Sequence, residues 1–168
     1  MIPFENENKY LPANDAWRSL VTEKLFLTQG YLINENGKLA RIRITTKADG
    51  TRVPKFEIKL PPRAEGTPEI PFPPIEIGLA DALMAECGTR VITKIRHHVP
   101  IGERTFEIDV FEGQHAPLIT IELERDSAAA ETMVLPEWVG RNVTDDYRFS
   151  NIWLSEHTVE PDMLGFQP

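Results

Sequence analysis

The chain has 168 residues, 41% of them hydrophobic and 26% charged, with a formal net charge of −8. That is the size of one ordinary domain, too acidic for a general nucleic-acid binder, and without an apolar run near the ~18–20 residues of a membrane helix or a signal-peptide start. The single cysteine, Cys87, excludes an internal disulfide and a cysteine-based zinc site and fits a reducing cytoplasm.

In chain order, the first patterned stretch is Phe4-Glu5-Asn6-Glu7-Asn8-Lys9-Tyr10. Read as a strand, it places Glu5, Glu7 and Lys9 on one face. Two carboxylates at that spacing suit a hard cation such as Mg²⁺, although by itself such a stretch is more often a solvated strand. Asn14 is placed to cap a helix in which Trp17, Leu20, Val21 and Lys24 fall at helical spacing. Phe26–Leu32 reads as a strand interrupted by Gly30, and Asn36-Gly37 as a hairpin turn. Leu39–Thr45 and Pro54–Leu60 continue a meander through a turn at Asp49-Gly50.

Pro61–Pro74 is a proline-rich connection, after which a strand is expected around Ile75-Glu76-Ile77. Leu79–Glu86 has helical spacing, with Gly88 placed to end it. Three strands follow at Val91–His97, Arg104–Phe111 and Leu118–Arg125. Ser127–Met133 reads as a short helix, Pro136 as the start of another and Asp145–Leu154 as a third, with a tail over about 158–168. No linker divides the chain, so 1–168 reads as a single domain with a core of about 4–154.

The strands alternate apolar residues with charges of defined sign. Arg41 with Arg43 and Lys94 with Arg96 make cationic pairs; Glu5 with Glu7 and Glu122 with Glu124 make anionic ones. An ordinary one-sided sheet has no such pattern on its wet face. The expected fold is therefore α+β: a closed eight-stranded antiparallel β-barrel, a tunnel with a charged lumen, and helices packed on the outside. Lys55 and Glu57 are about as readily outer or rim charges as site residues, and Glu107 reads as a strand partner for a nearby cation. His97 and His98 face opposite ways. Cys87 and the three tryptophans read as packed core, and Asp145 with Arg148 as a structural pair.

With these landmarks in order, the chain resembles a CYTH-domain protein of the triphosphate tunnel metalloenzyme superfamily. The signature Glu-x-Glu-x-Lys is present as Glu5-Asn6-Glu7-Asn8-Lys9. It is followed by Gln29-Gly30-Tyr31-Leu32, Arg41-Ile42-Arg43, Phe56-Glu57-Ile58-Lys59 and Lys94-Ile95-Arg96. Glu107 to Gly113, Ile121-Glu122-Leu123-Glu124, Val143 to Asp146 and Arg148 to Asn151 complete the set. Three positions depart from the family pattern. Asn8 stands where Arg is frequent, Asn142 where Glu is usual, and a proline-containing stretch replaces the Glu-rich fifth strand, leaving Glu69 and Glu76 unassigned.

The resemblance implies that Arg41, Arg43, Lys59, Lys94 and Arg96 line the tunnel and grip phosphate oxygens, forked donors from arginine and point charges from lysine. Tyr31 falls at a family position near the pocket mouth, and is otherwise a core aromatic. Glu5, Glu7, Glu122 and Glu124, with Asp109, would hold Mg²⁺ or Mn²⁺, and Lys9 would neutralise charge at the reacting phosphate, so that Lys9, Glu5 and Glu7 are the candidate catalytic groups. Implied substrates are inorganic triphosphate, ATP or thiamine triphosphate, acted on by a monomer or homodimer. Three functions share this pattern: a metal-dependent triphosphatase, a class IV adenylate cyclase and a non-catalytic nucleotide or polyphosphate binder. Both carboxylate pairs and Lys9 argue against the binder, and the lack of a recognisable adenine-binding signature lowers the cyclase, which leaves the first as the favoured reading.

Overall fold

The computed structural model describes residues 2–125 and 134–166. The strands are β1 (Phe4–Glu5), β2 (Glu7–Pro12), β3 (Glu23–Glu35), β4 (Lys38–Thr46), β5 (Arg52–Lys59), β6 (Thr67–Pro71), β7 (Val91–Ile101), β8 (Arg104–Phe111), β9 (Ile119–Glu124) and β10 (Val139–Asn142). Helix α1 spans Ile77–Glu86 and α2 spans Asn151–Glu156. The strands are hydrogen-bonded in the order β1-β6-β5-β4-β3-β7-β8-β9-β2-β10, antiparallel throughout.

The α+β class holds, but among the described residues the sheet has ten strands and its hydrogen-bonded order is not a ring. The N-terminal strand is responsible for both differences. It is interrupted at Asn6, so that Glu5 pairs with Thr67 at one end of the sheet while Glu7 pairs with Glu124 at the other. The second edge of β2 is occupied by β10, with Asn142 opposite Tyr10 and Val143 N–H donating to Lys9 O at 2.8 Å. β6 therefore meets only the first two residues of that strand.

Period-two alternation places the apolar residues of each strand on the outer face. Ile42 and Ile44, alternating with the arginines of β4, are buried beneath α1 together with Ala80 and Cys87. Gly30 on β3 is required by this contact, since a Cβ there would lie 2.5 Å from Cys87 Sγ and 2.9 Å from Met84 Sδ. Ile108 and Ile121 pack with Trp17 and Trp138 on the far side of the sheet. The C-terminal segment covers the rest, with Phe149, Leu154 and Met163 against Leu11, Ile92 and Leu118. Complete burial of a side chain of this size is worth ~1.5–3 kcal/mol, so Met163 ties the stretch expected as a tail to the core.

Several elements differ from expectation. The helix expected over 14–25 is a short 3₁₀ segment, Ala16–Leu20, with Asp15 at its N-cap and Asn14 Oδ1 accepting from Ala16 N–H at 3.0 Å. It ends because β3 starts at Glu23, three residues before the expected strand, and pairs with β7 through Glu23 and His98. The proline-rich connection contains β6, whose prolines act as acceptors: Leu60 N–H donates to Pro68 O at 3.0 Å. The strand expected at 75–77 is instead the start of α1, with Glu76 at its N-cap. Pro136 leads into β10 and not into a helix. Asp145–Leu154 divides into a 3₁₀ turn at Tyr147–Phe149 and α2. The helix expected at Ser127–Met133 lies outside the described residues.

Candidate active site in the charged face of the sheet

The inner face of the sheet carries the charges, and the register sets opposite signs side by side. Arg41 lies across from Glu57, Lys59 from Glu69, Arg96 from Asp109 and Lys9 from Glu122. Such pairs are the unit by which a sheet fixes its side chains. Together these strands enclose a polar cavity of about 250 Å³. Its walls include Glu5, Glu7, Arg41, Arg43, Lys59, Lys94, Arg96, Glu122 and Glu124, all of them charged positions of the alternating strands. Lys9 and Tyr31 line an adjoining cavity of about 370 Å³ on the side of the C-terminal segment.

The cations are held in specific ways. Arg96 is the most heavily engaged: Nε donates to Asp109 Oδ1 at 2.7 Å, Nη2 to Asp109 Oδ2 at 2.7 Å and to Glu122 Oε2 at 2.6 Å, and Nη1 to Glu107. Burial disfavours its charge, but Asp109 and Glu122 outweigh that and hold its pKa well above the ordinary value. Lys94 donates to Asp109 and, at 3.2 Å, to Asn151 Oδ1; burial lowers its pKa in spite of Asp109. Lys9 Nζ lies 3.0 Å from Glu122 Oε1 and 3.5 Å from Glu7 Oε1, and donates to Phe149 O at 3.2 Å. Although burial opposes it, the pull of Glu122 and Glu7 raises the Lys9 pKa. Lys59 bridges Glu5 and Glu69.

Arg43 is different. Among the described residues no carboxylate lies within 4.0 Å of it, and its buried Nε has no partner. Burial and then the neighbouring charges of Arg41 and Arg96 bring its pKa down to about 10. A guanidinium pressed by two others in a partly dry pocket is an unfilled anion site.

The carboxylates show the opposite imbalance at Glu7. Burial, then Glu122 and Glu5, push its carboxyl up to about 7, against the pull of Lys9 and Lys59. Glu5 is lowered, because Lys59 and Arg41 together overcome its burial. Glu122 is far below the usual range: Lys9, Lys94 and Arg96 outweigh a large desolvation. Glu5, Glu7, Glu122 and Glu124 offer only oxygen, the donor type of Mg²⁺ and Mn²⁺, and the crowding at Glu7 marks where a cation would relieve repulsion. They fit a divalent ion in charge and donor type. Among the described residues, though, no three His, Cys, Asp or Glu side chains are already converged on one point, since Lys9, Lys59 and Arg96 occupy these oxygens.

Asp109 is wholly buried behind Lys94 and Arg96 and does not reach either cavity. Glu57 is buried at 1% exposure and bound by Arg41 and Lys55, which excludes a rim position. Glu107 pairs with Arg96, as its reading as a strand partner implies. Glu69 enters the cavity between Lys59 and Arg41, whereas Glu76 caps α1. Tyr31 is 2% exposed, its hydroxyl accepting from Gln29 Nε2 at 3.0 Å, and it belongs both to the core and to a cavity wall. Arg148 binds Asp146, Glu160 and Asp162, not Asp145. Gln29 and Asn151 also line the polar cavity; the alternation of charge is silent about them because both are neutral.

An inorganic triphosphatase of Acetivibrio thermocellus is 30% identical over 155 residues, 88% of this chain and 90% of its own. An inorganic triphosphatase of Nitrosomonas europaea is 40% identical over 60 residues, 35% of this chain and 39% of its own. The crystal structure of an inorganic triphosphatase superposes with a TM-score of 0.60 at 28% identity, covering 92% of this chain and 95% of that one. A conserved protein of Pyrococcus furiosus shares the fold, with a TM-score of 0.54 at 17% identity over 73% of this chain and 78% of its own. No protein-family model matches. With the match to the Acetivibrio enzyme running over 88% of this chain and 90% of that one, the chain belongs to the inorganic triphosphatases of the CYTH, triphosphate tunnel metalloenzyme type.

Proposed function

We propose that this protein hydrolyses inorganic triphosphate to phosphate and pyrophosphate in the charged cavity, with a divalent cation. The observation that carries the reading is the unpaired Arg43 guanidinium, set among Arg41, Arg96, Lys59 and Lys94 within one polar cavity. A triphosphate of about four negative charges supplies the anion that Arg43 lacks and displaces carboxylates from the other cations. The near full-length likeness to an inorganic triphosphatase supports the same substrate.

In this reading Arg41, Arg43, Lys59, Lys94 and Arg96 bind the non-bridging oxygens, Tyr31 borders the site and Lys9 meets the charge that develops at the leaving oxygen. Asp109 holds Lys94 and Arg96 in place from behind. Glu5, Glu7, Glu122 and Glu124 would hold Mg²⁺ or Mn²⁺, which when bound orients phosphates and lowers the pKa of water. Burial and the neighbouring carboxylates of Glu122 and Glu5 push the Glu7 carboxyl up to about 7, the range in which a proton-exchanging group works. The reading includes a single domain over 1–168 whose β1–β2 strand completes a tunnel by joining the two ends of the sheet, in a chain that works in a reducing cytoplasm.

The test offers purified protein tripolyphosphate, ATP and thiamine triphosphate with Mg²⁺ or Mn²⁺ and separates the products. Phosphate plus pyrophosphate from tripolyphosphate is the expected result. Cyclic AMP from ATP would replace the reading with the cyclase, and tight binding without turnover would leave a binding protein.

A further inference from the structure

The polar cavity and the adjoining one meet at five residues common to both walls: Glu5, Glu7, Arg41, Lys59 and Asn151. Four are charged and engaged with one another or with their strand neighbours. Asn151 is the neutral exception, carried by the first residue of α2 rather than by the sheet.

Its orientation is fixed by chemistry. Lys94 Nζ lies 3.2 Å from the Asn151 side chain, and an ammonium has only donors, so the atom facing it must be the amide oxygen. The amide nitrogen then points the other way. Among the described residues no protein acceptor meets Nδ2. Lys94 is itself buried and tied to Asp109, with the Phe111 ring 5.2 Å away, so the oxygen end of the amide is held on a rigid support. A half-buried amide with its acceptor occupied and both of its N–H donors unclaimed is a positioned donor awaiting an acceptor.

Resting on the triphosphatase reading, we propose that Asn151 is a further substrate-binding residue: its Nδ2 donates to a phosphate oxygen at the junction of the two cavities. It adds a neutral, directional donor to a site built mainly from charges. Because the donor comes from α2, it also makes binding depend on how the C-terminal segment is seated, which the strands alone do not control.

The experiment separates this role from mere support of Lys94. Asn151→Asp keeps shape and an oxygen for Lys94 but replaces the donor by an acceptor; Asn151→Ala removes both. Binding of tripolyphosphate would be measured by calorimetry in EDTA, and hydrolysis separately with Mg²⁺, after thermal unfolding has shown that each variant folds. The expected result is a Kd and KM raised about tenfold in Asn151→Ala and further in Asn151→Asp. Parent-like binding in Asn151→Asp would overturn the proposal and leave Asn151 as support for Lys94. Parent-like binding in Asn151→Ala would overturn it as well. If the parent itself neither bound nor hydrolysed tripolyphosphate, the functional reading would fail along with this one; an active parent with unaltered variants would sink only the role of Asn151.

Discussion

Asp109→Asn tests the buried framework behind the cavity. The substitution keeps the shape of a fully buried side chain but removes the charge that accepts from Lys94 and, as a fork, from Arg96 Nε and Nη2 at 2.7 Å each. Stripping one partner from a buried ion pair costs ~3–5 kcal/mol. Arg96 keeps Glu107 and Glu122, so the lower part of that range applies to it; Lys94 keeps the Asn151 amide oxygen, the face of Phe111 and the more distant charge of Glu122. A loss of about 3 kcal/mol in a chain of this length lowers Tm by roughly 6–12 °C. Circular dichroism on heating reads this directly. Tripolyphosphate should raise the Tm of the variant more than that of the parent, because two cations have been freed for it. A variant melting within about 2 °C of the parent would refute the reasoning, since the carboxylate would then not be what holds these cations.

Acid should act through the same group. Asp109 and Glu122 are held below the ordinary carboxylate range, so the stability they contribute is complete above their unfolded values near pH ~4 and is lost as pH falls through the folded ones; Tm against pH should bend downward below about 4, and a flat profile there would count against the linkage. Arg43→Ala should raise KM for tripolyphosphate by about tenfold to a hundredfold, the worth of one or two charge-assisted hydrogen bonds, with Tm unchanged or higher because no carboxylate loses a partner. Glu122→Gln should lower kcat on the order of a hundredfold while the protein stays folded, the scale on which one charge-stabilising group acts; parent-like turnover would remove Glu122 from the site. Gly30→Ala should cost about 1–3 kcal/mol by overpacking against Cys87, and a second change, Cys87→Ala, should recover most of the lost Tm.

Much of the site was legible because charge is conspicuous against an apolar period of two. Arg41, Arg43, Lys94, Arg96, Glu122 and Glu124 all reach the cavity as alternation requires. Register was not legible, and register decides what each charge does: the alternation leaves Glu57 open between an outer or rim charge and a site residue, and its pairing opposite Arg41 buries it. Asp109 carries the same alternation signal as Glu122 but lies one strand behind the cations, a distinction only packing makes. The prolines of 61–74 concealed β6 because proline normally argues against a strand with neighbours on both sides; here carbonyls carry much of the pairing. The expected helices near Asn14 and Pro136 had sound caps and too little length. There the strands β3 and β10 claimed the backbone instead.

The interruption at Asn6 has a consequence for how much the molecule tolerates change in chain length. Two residues, Glu5 and Glu7, are assigned to opposite ends of the sheet with a single residue of slack between them. Elsewhere there is slack: the Lys47–Thr51 turn has room to lengthen at the surface without shifting a wall. At Asn6 an added residue would invert the facing of one acidic side chain relative to the other, and a spreading of the sheet ends would pull the two carboxylates apart by the same amount. The spacing of the acidic pair is thus a gauge of whether the two ends of the sheet are drawn together.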